Sequence, residues 1–173
     1  MFNHTLATCA ICDGEVFQRE AVRAVVLRDH SVLLVRSSQG DLKFPGGGVE
    51  AGEEHPETLC REVTEETGYF IGTIGRCLGI VVERRPDVYQ TGAVFQMRSV
   101  YYLCELAPGR TKQDLSQQEI ELRLRPEWVD VADAYRNNER ILGENPPGMN
   151  PWVGRETLVL KELIGLLGEN GRL

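Results

Sequence analysis

No apolar run in these 173 residues approaches the roughly 18 that a bilayer-spanning helix needs. The N-terminus lacks the basic and apolar regions of a secretory signal. The expected location is therefore cytoplasmic, with no membrane partner. Positive charge is the minority sign: 19 Lys and Arg against 26 Asp and Glu leave a net charge of −7. A broad nucleic-acid footprint requires clustered Lys and Arg, so no nucleic-acid partner is expected. Small phosphorylated substrates are not excluded, because a bound divalent cation can reverse the field locally. Internal repeats and low-complexity segments are absent too. A chain of this length suits one domain, residues 1–173, which buries roughly two-thirds of its unfolded surface.

The five cysteines, Cys9, Cys12, Cys60, Cys77 and Cys104, are an odd number and read as reduced thiols, not as a disulfide framework. Cys60, Cys77 and Cys104 lie among apolar neighbours and are expected to be buried small hydrophobes. Cys9 and Cys12 form a CxxC in an N-terminal extension, residues 1–18. Such a pair can hold Zn²⁺ or cycle as a dithiol, but zinc takes four ligands, and neither a second CxxC nor a close His pair follows.

What is present reads as strands and helices in mixed order. "REAVRAVVLRDHSVLLVRSS" (19–38) predicts two β-branched strands with a tight turn near Asp29 and His30. Residues 76–85 and 94–106 predict two more, separated by the polar loop "PDVYQTG", and 127–131 a short fifth. Pro56 suits the first turn of a helix and Gly68 its C-terminal stop. A second helix is expected at 132–139. A third falls in "ETLVLKELIGLLG", where Leu160, Leu163, Ile164 and Leu167 share one face. Without regular βαβ alternation, a mixed sheet with helices packed on it is favoured, an α+β arrangement within the broad α/β class.

Chemistry concentrates in "FPGGGVEAGEEHPETLCREVTEETGY". On a helix over 56–67, at ~100° per residue, Glu62, Glu65 and Glu66 occupy one face, expected to be wet. Leu59 and Val63 form the adjoining apolar stripe. A solvated acidic face is the plain alternative. Yet this helix has no lysine at i+4, its only cation is Arg61, and a glycine turn that admits close backbone approach precedes it. Carboxylates so crowded stay ionised only if something neutralises them. A hard divalent ion does so, takes substrate phosphates as further ligands, and activates water for attack at phosphorus. A further carboxylate can take the proton.

Gly47, Glu53 and "REVTEETGY" (61–69) fill every defined position of a pattern: G, five residues, E, seven residues, then R-E-(apolar)-x-E-E-x-G-(apolar). This resembles the signature of the Nudix hydrolases. The resemblance implies an α/β/α sandwich around a mixed sheet. It implies Mg²⁺- or Mn²⁺-dependent hydrolysis of a nucleoside diphosphate linked to another group, a nucleotide, a nucleotide sugar or ADP-ribose among them. A nucleotide-sensing module of the same fold is the alternative, although such modules lose glutamates that this chain keeps. Carried over by position, Glu62, Glu65 and Glu66 match the metal and base glutamates, with the Gly46 carbonyl in the metal sphere. Glu62 or Glu65 is expected as base and Glu66 as ligand. Arg61 would orient these carboxylates by pairing with Glu53, for which its planar fork suits it. Relatives often add a distal acid, for which Glu119 and Glu121 are the candidates, and often form homodimers. Arg36, Lys43, Phe44 and Gly47 are candidates for substrate contact. For base stacking, Phe44, Tyr89, Phe95, Tyr101 and Tyr102 are available. Pro86 and Tyr89 lie near distances at which relatives directed to ADP-ribose-type substrates carry proline or tyrosine.

Overall fold

The computed structural model describes residues 1–7 and 15–170, so Cys9 and Cys12, and with them the zinc expectation, lie outside the described residues. The elements run β1 (Phe2–Ala7), β2 (Val16–Arg28), β3 (Ser31–Arg36), β4 (Leu42–Lys43), α1 (His55–Thr67), β5 (Tyr69–Pro86), β6 (Val94–Arg110), α2 (Gln117–Glu121), β7 (Arg125–Asp130), α3 (Val131–Glu144) and α4 (Val153–Asn170). The sheet is mixed, in the order β1-β5-β6-β2-β3-β4, and β7 pairs with β3. β2 runs parallel to β6, and β5 and β6 are antiparallel.

Alternation on β2 divides the core. Val22, Ala24 and Val26 face α1, whose Leu59 and Val63 dock there with no exposed surface. Val25, on the opposite face, joins Tyr101, Phe44 and the α4 residues Val159, Leu160 and Leu163. Sheet faces are thus covered on both sides; of the stripe expected on the last helix, Leu160 and Leu163 are fully buried and Leu167 partly, whereas Ile164 is exposed. Among the described residues, no helix is long and apolar enough to cross a membrane.

β2 changes partner along its length, and this positions the site. Its last residues pair with β3 at Leu27↔Val32 and Arg28↔Ser31. Earlier, the glycine loop takes that edge instead: Val22 N–H donates to Gly47 O at 3.0 Å, Ala24 N–H to Pro45 O at 2.9 Å, and Val49 N–H to Glu20 O at 2.9 Å. The glycine loop is therefore pinned to the sheet as a strand would be.

Several sequence expectations change in detail. β1, unforeseen, pairs in parallel with β5 from Phe2↔Gly79 to Ala7↔Arg84. The strand expected at 76–85 extends to Tyr69–Pro86. A short helix, α2, replaces the loop or strand edge at "LSQQEIEL", because Ser116 caps it and Glu119 returns to the Ser116 amide at 2.8 Å. The second long helix reaches Glu144, ended by Asn145 in the left-handed region at φ 42°. Cys104 is buried and Cys77 half-buried, but Cys60 is exposed, because it lies on the outer side of α1 away from Leu59 and Val63.

Candidate active site

α1 starts and stops where its termini require. Glu57 accepts from the Glu54 amide at 2.9 Å, Pro56 fills the first turn, and Gly68, at φ 74°, closes the helix by donating to Thr64 O. With Leu59 and Val63 on the sheet, Arg61, Glu62, Glu65 and Glu66 lie beside the pinned glycine loop.

Arg61 organises three of the carboxylates. Its Nε and Nη2 donate to Glu53 at 2.7 and 2.8 Å, and its Nη1 donates to Glu62 at 2.7 Å and Glu65 at 3.3 Å. The Arg61 guanidinium, helped by Thr58, holds the Glu53 carboxyl down at about 2, and Glu53 in turn raises Arg61 above its ordinary value. Burial, only partly opposed by Arg61, pushes Glu65 upward, and the neighbouring Glu62 adds to this. Glu62 lies against the loop: a Cβ on Gly47 would stand 2.2 Å from its carboxyl carbon. Only glycine leaves room for that carboxylate.

Glu66 departs from the wet face expected of it. It is 1% exposed, because Lys43 and the glycine loop close over it. The Gly46 amide donates to it at 2.9 Å, and Lys43 donates its ammonium to the other oxygen. Burial raises the Glu66 carboxyl, against the opposing pull of Lys43. The Gly46 carbonyl accepts from Arg23, a β2 side chain that is 8% exposed. Glu119 accepts from the Ser116 amide and hydroxyl at 2.8 and 2.7 Å and lies within electrostatic range of Lys43. Burial works to raise its carboxyl, but the Ser116 hydrogen bonds, with help from Lys43, outweigh it and leave it lowered. Glu121 is exposed and accepts from Gln117.

Two candidates for substrate contact sit elsewhere. Arg36 is paired with Glu127 at 2.6 and 3.1 Å and with Gly40 O at 2.7 Å, facing β7 and not the glutamates. Phe44 is fully buried, edge-on to Tyr101 at 5.5 Å between ring centres. It has no free face to offer a ligand, because it alternates into the core while its neighbours line the loop.

The sequence reading missed Arg23 and Trp152. Trp152 is fixed by its indole N–H, which donates to Asp41 at 2.6 Å, and Asp41 also accepts from Ser37 and Asn150. Its ring centre lies 5.6 Å from the Lys43 ammonium. Beyond it opens a cavity of about 650 Å³, lined among others by Arg23, Arg84, Arg85, Phe95, Trp152 and Arg155. Arg155 pairs with Glu83 and with Glu156 at 2.6 Å. Burial works against its charge, but these carboxylates and Tyr101 outweigh it. Arginine within an otherwise apolar strand, as in "REAVRAVV", is the signal that could have marked Arg23.

The oxygens of Glu62, Glu65 and Glu66 and the Gly46 carbonyl are the hard donor set that Mg²⁺ takes, and the missing side chain at Gly47 is what lets the Glu62 carboxylate lie against the loop. As they stand, no three acidic, thiol or imidazole side chains among the described residues converge on one point. Each carboxylate is drawn instead to a cation of the chain, Glu62 and Glu65 to Arg61 and Glu66 to Lys43.

The chain is similar to known proteins in sequence and in fold. The NUDIX domain family matches residues 17–152. Nucleoside diphosphate-linked moiety X motif 6 from Mus musculus is 31% identical over 123 residues, which cover 71% of this chain and 35% of that protein. An ADP-ribose pyrophosphatase from Methanocaldococcus jannaschii is 30% identical over 105 residues, 58% of this chain and 59% of that one. The chain thus spans about a third of the mouse relative's length and somewhat over half of the archaeal one's. A solved NUDIX hydrolase from Nitrosomonas europaea shares the fold, with a TM-score of 0.58 at 18% identity, covering 85% of this chain and 90% of that one.

Proposed function

This chain belongs to the NUDIX family, and on that premise we propose that it is a metal-dependent hydrolase of the pyrophosphate bond in a nucleoside diphosphate linked to a second group. The observation that carries this reading is the Arg61 hub. One guanidinium gathers Glu53, Glu62 and Glu65 beside the glycine loop, and Arg23, which donates to the Gly46 carbonyl of that loop, also lines a cavity with arginine and aromatic side chains in its wall.

Glu62, Glu65, Glu66 and the Gly46 carbonyl would hold Mg²⁺. The ion supplies neutralisation of the phosphoryl oxygens and activation of an attacking water. Glu65 has the most exposed side chain of the three, at 38% against 14% and 1%, and its ion pair with Arg61 is long, at 3.3 Å. That freedom supports Glu65 as the group that takes the proton, with Glu62 held firmly against Gly47. Water oxygen bonds to phosphorus, the bridging oxygen leaves with the other phosphate, and the carboxylate accepts the proton. Arg61 holds its carboxylates in register so that little reorganisation accompanies the reaction.

The cavity is the place for the nucleotide. Its volume suits a small ligand, Trp152 and Phe95 are in its wall, the latter with the Arg85 guanidinium 4.5 Å from its ring centre, and Arg23 links it to the glycine loop. ADP-ribose leads the candidates because an ADP-ribose pyrophosphatase is among the relatives. The test is phosphate release, with added phosphatase, from a panel of ADP-ribose, dinucleoside polyphosphates, sugar nucleotides, and normal and oxidised nucleoside triphosphates. The reading expects at least one to turn over with Mg²⁺ and to stop on chelation. Turnover that survives chelation contradicts it, as does binding of these nucleotides with no turnover of any.

A further inference from the structure

Four acceptors of this site are held by three cations that the chain itself supplies. Arg61 holds Glu62 and Glu65, Arg23 holds the Gly46 carbonyl, and Lys43 holds Glu66. These cations are not equally free to leave. Arg61 is gripped through both arms of its fork by Glu53. Arg23 rises from the interior of β2, and its guanidinium is planar and rigid. Lys43 holds Glu66 through its ammonium alone, on a flexible four-carbon stem, with Glu119 as a further charge nearby. A second partner is within reach, the face of Trp152 at 5.6 Å, and Trp152 forms part of the cavity wall.

Resting on the metal-dependent reading above, we propose that Lys43 is a built-in counter-cation. Its ammonium competes with the divalent ion for Glu66 and, once displaced, moves along Trp152 toward the cavity, where it meets the substrate's phosphates. The argument begins with burial. Glu66 is 1% exposed, and an ionised carboxylate so placed needs a cation beside it. Lys43 fills that need and keeps the pocket intact. A divalent ion at the same carboxylate repels the ammonium at short range and in low dielectric. The ring of Trp152 is the favourable surface next to it, since an ammonium over an indole face is attracted by the ring. Metal binding then adds a positive charge to the cavity. Ion and phosphate-bearing substrate bind with positive coupling, reciprocal in sign and size.

The test uses Mg²⁺ alone as probe, on the full chain after chelation. Wild type, Lys43→Met and Lys43→Gln are titrated by calorimetry and unfolded thermally with and without saturating Mg²⁺. Trp152 emission is followed in a Trp128→Phe background, which removes the other tryptophan. Because wild type must give up an existing cation, Mg²⁺ is expected to raise the Tm of both Lys43 variants by at least about 3 °C more than that of wild type. Trp152 emission is expected to respond to Mg²⁺ when Lys43 is present and not when it is replaced. The glutamine variant keeps a hydrogen-bond donor for Glu66 and serves if the methionine variant fails to fold. Equal Tm increments, or the same Trp152 response with and without Lys43, overturn the exchange while leaving the metal site standing. If calorimetry detects no Mg²⁺ binding to wild type, the metal reading and this proposal fall together.

Discussion

Arg61 grips both carboxylate oxygens of Glu53, at 2.7 and 2.8 Å, from eight residues further along the chain. The grip fixes the guanidinium plane, and Nη1 is thereby aimed at Glu62 and Glu65. Lysine keeps the charge but lacks the fork. Arg61→Lys is therefore expected to lower kcat about 10–100-fold, the range for residues that orient metal ligands, while Tm changes little. Parallel kinetics and thermal unfolding check this; a large Tm loss with a proportionate loss of activity contradicts an orienting role.

Glu53 also sets a pH dependence. Its carboxyl is held at about 2 in the folded protein against an ordinary 4.5. A lowered folded value means that ionised Glu53 adds stability above the unfolded value, and that this contribution is lost as pH falls from about 4.5 toward about 2. Glu53→Gln removes the titrating group. The expected outcome is that wild type leads the variant in Tm at neutral pH and that the lead shrinks across this window. A lead that is constant down to pH about 2 contradicts the linkage.

The buried Lys43–Glu66 pair makes a sharper prediction than a wet face would. Glu66→Gln leaves an ammonium facing a neutral amide in an interior site. Removing one member of a buried pair costs about 3–5 kcal/mol, so Tm should fall by about 6–20 °C. Adding Lys43→Met to Glu66→Gln should restore much of that loss, since neither charge then remains. Differential scanning calorimetry of the four proteins reads the cycle, and simple additivity of the two changes contradicts pairing.

Adjacent glycines should separate structure from chemistry. Gly46 has φ 136°, and a Cβ there would stand 2.1 Å from the Val22 carbonyl oxygen, which belongs to the sheet backbone. Gly46→Ala is expected to destabilise the fold by several kcal/mol, on the order of 3 or more. At Gly47 the obstructing group is the movable end of Glu62. Gly47→Ala is expected to lower turnover at least about tenfold by displacing that carboxylate, with a smaller Tm change. Reversal of this order in Tm contradicts the reading of the loop.

What was legible in the sequence was local. Pro56, Gly68, Leu59 and Val63 define α1 within one segment, and alternation around Asp29 and His30 defines the β2–β3 hairpin. β1 escaped because its partner, β5, lies more than seventy residues away, with Phe2 opposite Gly79. A short polar-apolar run carries no trace of such pairing. The burial of Glu66 escaped for the same reason. A helical wheel places it beside Glu62 and Glu65, but its cover comes from Lys43 and the Gly46 amide, contributed by another segment. Phe44 invited a stacking role by its chemistry, and only the fold shows it spent on the Tyr101 side of the core.

The account depends on a divalent ion among Glu62, Glu65, Glu66 and the Gly46 carbonyl. Anomalous diffraction from a crystal soaked in Mn²⁺ tests it most directly. The predicted result is a peak within direct coordinating distance of oxygens of this set, with Lys43 moved off Glu66. No anomalous peak at saturating Mn²⁺, with Lys43 still bonded to Glu66 and Arg61 still holding the other two glutamates, would contradict it.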